Sequence, residues 1–444
     1  MPMGSSTDVA VHDHGVARLA RARPPRAAWS AGAESAAVWA VVLVVWMLSF
    51  ASYSPVERAV APLSLVTLDW VAVAKVATRI VAFVLLGAVY LRMPRTPARQ
   101  HVMKRIMPFG LFAAWAIIST TWSPLWEVSL GHGAETVVFV MLAAVVGVVC
   151  AEDRNLSRIL FHLTAATLVL SIVNAGLWAA GLSAGDGERA SGFLHPNLAA
   201  QVAGIGLVVL VSSYLIAGWR WTHWLLAPAA AVQGWVLFAA QSRTANGATF
   251  AALLACLLLF AHRRSLLLGV VALAVLVTGY LTFDPETASF GHVQEKVVAY
   301  VVRGQSNSQF LTATGRTEMW AVGWQSFKDS LLVGHGNWVM TATGAVPVWG
   351  EARWQTSHNL VLHVLTGTGL VGAFLLLWAL WRPGLAAWHE LVRGTTERKT
   401  ALFVGVVFAW FLLVGLYELS LLGPVSPATL TFFVVLGMAA GRLP

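Results

Sequence analysis

Charge is what this sequence has least of. Only 11% of its 444 residues are Asp, Glu, Lys or Arg, and the mean hydropathy is +0.71; a soluble globular chain carries about 25% charged residues. A surface so poor in charge cannot be wetted throughout, which excludes a soluble enzyme or scaffold and implies a membrane protein. Cysteine is almost missing: Cys150 and Cys256 both fall near the expected inner ends of apolar segments, so no disulfide framework is implied. No basic stripe interleaved with aromatics is present, so the net charge of +9 does not point to nucleic acid. Lys and Arg lie mainly between apolar runs instead, which makes them topology signals. A helix-face metal site is also lacking, because His358 and His363 are five residues apart and no carboxylate completes a ligand set. No metal and no cofactor is expected.

What is present is a succession of apolar segments, at about 36–53, 65–91, 107–121, 134–150, 158–181, 198–217, 221–240, 244–261, 265–283, 358–381, 401–420 and 427–441. They predict an all-α polytopic membrane bundle of about twelve transmembrane helices. Residues 1–34 form a basic, partly disordered cytoplasmic tail with Arg18, Arg21, Arg23 and Arg26, and the apolar run that follows from Ala36 is too long for a signal-peptide core and serves as a start anchor. Residues 35–444 then make one transmembrane domain. With the N-terminus inside, Arg92, Arg95, Arg99, Lys104, Arg105, Arg154, Arg158, Arg220, Arg263, Arg264, Arg382, Arg393, Arg398, Lys399 and Arg442 all fall on the inner side. The short outer loops keep only Arg58, Arg189 and Arg243, so the positive-inside rule places both termini in the cytoplasm.

One connection is long. Residues 284–356, between the ninth and tenth segments, form an outer loop of a length that is usually functional or structured. Within it, "GRTEMWAVGWQSFKDSLL" sets Trp320, Trp324, Phe327 and Leu331 at helical spacing, with Arg316, Glu318 and Lys328 elsewhere on the turn. Either an interfacial amphipathic helix or a packed helix of a small cap fits that pattern.

The outer face gathers four polar stretches: "GERASGFLHPN" (187–197), "QSRTANG" (241–247), "TGRTEMW" (314–320) and "SHN" (357–359). Three of them centre on arginine, Arg189, Arg243 and Arg316, and the fourth on His358. Guanidinium is a permanently charged planar fork suited to phosphate; the bland alternatives are a snorkelling helix-end Arg243, a solvated Arg189 and a helix-surface Arg316. His358 either caps the following span or handles a proton near neutral pH. Asn197 and Asn359 either orient ligand hydroxyls or cap helices, and His195 is a secondary candidate. Inside the second segment, Lys75 and Arg79 share a helix face. Charges at that depth either meet an anionic ligand or pair internally, with Asp69, Glu135 or Glu418.

These motifs resemble the O-antigen ligase and polysaccharide polymerase family of bacterial membrane glycosyltransferases, which take a glycan from undecaprenyl diphosphate. The likeness runs from "STTWSPLWEVSL" (119–130) through "RASGFLHPN", "QSRTANGA" and "TGRTEMW…LLVGHG" to "SHNLVLHVLTGTGLVG" (357–372). The last stretch, His-Asn, nine residues, then Gly-x-x-Gly, is the most specific and leans toward ligases, whereas "TGRTEMW" is more like exopolysaccharide polymerases. The resemblance implies a metal-independent inverting enzyme in which Arg189 and Arg243 hold the donor diphosphate and His358 is the essential histidine. It implies an undecaprenyl-diphosphate-linked donor, a glycan or lipid-linked acceptor, and a site on the outer side of the cytoplasmic membrane, in surface polysaccharide synthesis. Protein O-oligosaccharyltransferases are relatives with a Ser or Thr acceptor. Gly367, Gly369 and Gly372 are expected to let a neighbouring helix or the lipid approach. Twelve spans also describe a secondary transporter or a lipid-linked glycan flippase, but no convincing repeat relates the halves and the polar residues cluster outside the midplane.

Overall fold

The computed structural model describes residues 31–51, 70–151, 153–182, 189–217, 223–260, 316–348, 351–353, 356–394 and 397–443. The basic tail arginines, Asp69, the segment expected at 265–283 and the first part of the outer loop, 284–315, lie outside them. The helices are α1 (Ala31–Phe50), α2 (Trp70–Arg92), α3 (Pro97–Ile118), α4 (Trp126–Cys150), α5 (Asp153–Ala179), α6 (Pro196–Ala217), α7 (His223–Ala239), α8 (Arg243–Phe260), α9 (Arg316–Asp329), α10 (Leu360–Arg393), α11 (Arg398–Gly415) and α12 (Pro427–Arg442). A short hairpin pairs β1 (Val346–Val348) with β2 (Glu351–Arg353) in antiparallel register; otherwise the described architecture is all-α.

Seven helices among the described residues are long and apolar enough to cross a membrane, which corrects the expectation of about twelve. Four of the expected spans are shorter apolar helices, Glu34–Phe50, Leu225–Ala239, Arg243–Leu259 and Pro427–Arg442. A helix of 16 residues such as α12 is about 24 Å long, short of a hydrocarbon core of about 30 Å. Hydropathy along a sequence measures apolar composition, and a helix buried inside a bundle satisfies it as well as one facing lipid. Conversely, the third and fourth segments, which look shortest in the sequence, are full spans at Pro97–Trp122 and Trp126–Cys150. Their first halves carry Arg99, Lys104 and Arg105, or Glu127 and Glu135, and charge hides the helix start.

The centre is built around α12, which packs on α4, while α3 packs on α4 and α10, and α11 on α10 and α8. Phe109, Phe139, Phe408, Phe411, Phe432 and Phe433 interlock there edge-on and offset. The α4–α12 crossing is close because it is made of small residues. A Cβ on Gly437 would stand 2.4 Å from the Ala143 carbonyl oxygen, and one on Gly441 2.1 Å from that of Gly147. Cys150 and Cys256 are both buried and free.

The 34-residue α10 is not continuous. Gly369 sits at φ 66°, ψ −167°, a region reserved for glycine. The break exposes backbone groups that water cannot satisfy at this depth, and a loop supplies them. His335 N–H donates to Thr366 O (2.9 Å) and Gly336 N–H to Gly367 O (2.8 Å), while Leu370 N–H donates to Leu331 O (2.8 Å). Trp115 Nε1 completes the set on Thr368 O at 3.0 Å. Gly367 and Gly369 therefore admit the 331–338 loop, while Gly372 lies against Trp115 of the neighbouring helix α3, and the same loop docks through Asn337 onto Ser119 Oγ and Ser129 Oγ. Gly369→Ala is expected to lower stability by about 3 kcal/mol or more, since its Cβ would stand 2.2 Å from Leu332 O. Gly394→Ala, at a helix C-cap with open space around it, should cost about 1–2 kcal/mol. Melting temperatures of the two purified variants check the contrast.

Candidate active site

The chemistry-bearing stretches meet where α10 begins and α11 ends. Asn359 is the N-cap of α10: its Oδ1 accepts Leu362 N–H at 2.9 Å, and its Nδ2 donates to Leu416 O at 3.0 Å. Capping, one of the two expected readings, is what Asn359 does here. The preceding residue, His358, has φ 47°, a left-handed conformation that non-glycine residues adopt at a cost. Its backbone neighbour Ser357 accepts the Trp320 indole N–H at 2.8 Å, which ties α9 to the head of α10.

The His358 side chain faces the chain between α11 and α12. Its Nδ1 lies 3.1 Å from Glu418 Oε2. The other carboxylate oxygen, Oε1, accepts from Arg316 (2.7 Å) and from Asn197 Nδ2 (2.9 Å), and a second Arg316 nitrogen donates to Tyr417 O at 2.8 Å. Asn197 accepts in turn from Arg189 at 2.9 Å, and Arg189 also donates to Ala240 O, from Nε at 3.1 Å. Arg243, half-buried at the first position of α8, lies within electrostatic reach of Arg316. One hydrogen-bonded chain thus joins Arg189, Asn197, Glu418, Arg316 and His358, with Arg243 beside it.

Glu418 is the hub, and its protonation follows from its surroundings. Burial raises its pKa, but His358 and Arg316 outweigh burial and hold it below the ordinary carboxylate value. An ionised carboxylate only accepts, so His358 Nδ1 must carry the proton that bridges them. In the neutral imidazole, Nε2 is then left with its lone pair. A base oriented by a buried carboxylate is the arrangement that nucleophile activation requires. Arg316 and His358 keep 19% and 28% of their side-chain surface exposed while Glu418 keeps 9%; the cationic and basic groups are reachable and the carboxylate is not.

Other expected candidates fall elsewhere. Arg79 pairs with Glu135, whose second oxygen lies 2.6 Å from His132 Nδ1. His132 stacks on Trp338 (3.8 Å between centroids), which meets His363 edge-on at 5.0 Å. Internal pairing with Glu135, one of the two readings of the Lys75 and Arg79 pair, is what the structure displays for Arg79; Lys75 is half-buried one turn before it. His195 is exposed and ends the turn before α6, where its carbonyl accepts Leu198 and Ala199 N–H. In α9 the buried positions are Met319, Gly323, Ser326 and Phe327, while Trp324 is 52% exposed. The helix is thus a packed cap that leaves one tryptophan outward. Among the described residues, no group of three His, Cys, Asp or Glu is placed to hold a metal ion.

The residue that sequence reasoning missed at this site is Glu418, weighed only as a counter-ion for Lys75 and Arg79. A signal was available: it is the sole acidic residue between Lys399 and Pro444, and an ionisable group isolated in a membrane domain marks a functional position.

Residues 228–377 match the family model described as O-Antigen ligase. The matched segment contains Arg243, Arg316, His358 and the Gly369 break, and Arg189, Asn197 and Glu418 lie outside it. No curated protein matches the chain.

Proposed function

We propose that the protein, whose residues 228–377 match the O-antigen ligase family model, is a membrane glycosyltransferase that moves a glycan from a polyprenyl diphosphate donor to an acceptor hydroxyl. The observation that carries this reading is that Arg316 and His358 directly, and Arg189 through Asn197, all from distant parts of the chain, converge on one buried carboxylate, Glu418. Guanidinium groups at this density suit a diphosphate and supply the charge stabilisation that a divalent ion gives elsewhere. Arg243 adds a second reason. As a cation at a helix N-terminus it opposes the helix dipole, and a bound anion would satisfy both at once.

In the proposed reaction, the acceptor oxygen attacks the anomeric carbon and its proton passes to His358 Nε2. The bond from the anomeric carbon to the diphosphate oxygen breaks, the electron pair stays on that oxygen, and Arg243 and Arg316 stabilise the charge. Arg189, with its fork on Ala240 O and Asn197, holds the α6 and α8 approaches in register and adds positive charge. The site would face the outer side of the cytoplasmic membrane. Both ligase and polymerase acceptors fit this chemistry.

The deciding assay follows release of polyprenyl diphosphate from a lipid-linked oligosaccharide by the purified protein in detergent. Arg243→Ala should slow release by about 10²–10³-fold, the effect of removing one preorganised charge donor. Unchanged turnover would remove the diphosphate grip.

A further inference from the structure

A second cationic site lies at the far end of the bundle. Between α3, α10 and α12 there is a cavity of about 190 Å³ lined by Arg105, Arg382 and His389, with Leu385, Leu436 and Ala440 as apolar wall. Arg382 stands 13 residues beyond the Gly369 break of α10, roughly 20 Å along that helical part, and none of the residues around Glu418 lines this cavity, so it is separate from the Glu418 site.

Three observations say what it takes. Arg105 and Arg382 are close enough to repel one another, and among the described residues no carboxylate pairs with either. The contrast is local: Arg442, at the same end, is fully countered by both oxygens of Glu397 at 3.1 Å. Arg105 is instead held by a neutral group, the Leu443 carbonyl, at 2.7 Å, and Arg382 by the Lys104 carbonyl at 3.3 Å. Among the described residues, therefore, the positive charge of the cavity meets no carboxylate. Its size suits a phosphate-bearing headgroup and is below the 300 Å³ or so of an ordinary small-molecule pocket.

Its position decides between an ion from solution and a lipid. Phe374, Leu377, Trp381, Trp388 and Val392 form an exposed apolar stripe along α10, each more than 60% accessible. Trp381 and Trp388 immediately precede Arg382 and His389 in the chain, and tryptophan prefers the headgroup level of a bilayer. Leu385 is both part of the cavity wall and 37% exposed beside that stripe. The cavity thus opens toward lipid through an apolar edge while its far wall is cationic.

We propose that the cavity between α3, α10 and α12 binds the phosphodiester headgroup of an anionic membrane phospholipid, with Arg105 and Arg382 on the phosphate oxygens, His389 as a further donor and one acyl chain along the α10 stripe. Basic recesses between membrane helices bind anionic headgroups in this manner, and each cation near the surface contributes about fivefold in affinity. The site does not depend on the glycosyltransferase reading.

The test uses the full chain purified in detergent, with phosphatidylglycerol, phosphatidylcholine or inorganic phosphate added. Bound lipid is counted by native mass spectrometry and protection is read as melting temperature. Phosphatidylglycerol should be retained at least tenfold over phosphatidylcholine. The Arg382→Gln/His389→Gln double variant should lose at least fivefold of that preference. Arg393→Gln/Lys399→Gln, which removes exposed cations at the same end outside the cavity, should keep it. Equal retention of the two lipids overturns the proposal, as does an unchanged preference in the first double variant. An equal loss in the second would assign the preference to the general charge of that end. Protection by inorganic phosphate matching that of phosphatidylglycerol, with no lipid adduct, would mean a free-anion site and would also overturn it. Should the first double variant fold poorly, Arg382→Lys/His389→Gln retains one charge and should show an intermediate preference.

Discussion

Glu418→Gln is expected to slow glycan transfer by about 10²–10⁴-fold, the contribution of a positioned general base, while donor binding stays the same or tightens. Glutamine keeps the shape of the side chain, and its carbonyl oxygen can still accept from Arg316 and Asn197, which share one oxygen of Glu418. Its amide nitrogen then faces His358 Nδ1 and can only donate. The imidazole must accept at Nδ1 and carry its proton on Nε2, where the base needs a lone pair. Removing the negative charge also frees Arg316 for a phosphate, so KM falls or holds while kcat collapses. Glu418→Asp, which restores the charge at a shorter reach, should recover part of the rate. Wild-type turnover in the Gln variant would sink the oriented-base arrangement.

The same residue sets an acid limit on stability. Because His358 and Arg316 hold the folded pKa of Glu418 below its ordinary value, its stabilising contribution is complete above the unfolded carboxylate pKa of about 4.3 and is lost as pH falls through the folded value. Melting temperatures measured from pH 5 down through 4 and below should drop more steeply for the wild type than for Glu418→Gln, whose amide does not titrate. Equal slopes would mean that the carboxylate is not held ionised by its neighbours.

What could be read from the sequence, and what could not, divides along physical lines. Arg189, Arg316 and His358 stand out because an ionisable group beside an apolar run needs a reason to be there, whereas their linkage through Asn197 and Glu418 is seen only in the structure. Glu418 was visible as an isolated acid, but its partners were not. Arg316 precedes it by 102 positions and Asn197 by 221, and such pairings are set by helix packing that no local pattern reports. The span count failed for a related reason. Apolar composition does not report where a helix ends, and α7, with 17 residues, and α12, with 16, are too short for a hydrocarbon core of about 30 Å. The glycine spacing after His358 does mark a close approach, but at Gly367 and Gly369 the partner is a loop closing over broken backbone, and only Gly372 meets a neighbouring helix, at Trp115. Distinguishing a loop from a helix there required the 331–336 segment to be placed in space.

His358→Asn is the second change with a large expected effect, and asparagine is chosen for the backbone. His358 occupies φ 47°, where asparagine is among the few residues that sit without much strain, whereas alanine would add about 1–2 kcal/mol of conformational cost to whatever the imidazole contributes. The N-cap bond of Asn359 and the Trp320 bond to Ser357 do not involve the His358 side chain, so the head of α10 should stay in place and the melting temperature should remain within a few degrees of wild type. Arg316 still neutralises Glu418 and Asn197 still donates to it, and the guanidinium groups that would hold the diphosphate are untouched. Transfer should nevertheless fall by about 10²–10⁴-fold with donor affinity retained, measured by single-turnover release alongside equilibrium binding of the lipid-linked donor. If His358→Asn keeps full turnover, the acceptor proton leaves by another route. If it instead melts early and loses donor binding together with turnover, the histidine is a structural element of the α10 cap, and the positive charge around Glu418 would have to accomplish transfer without a base.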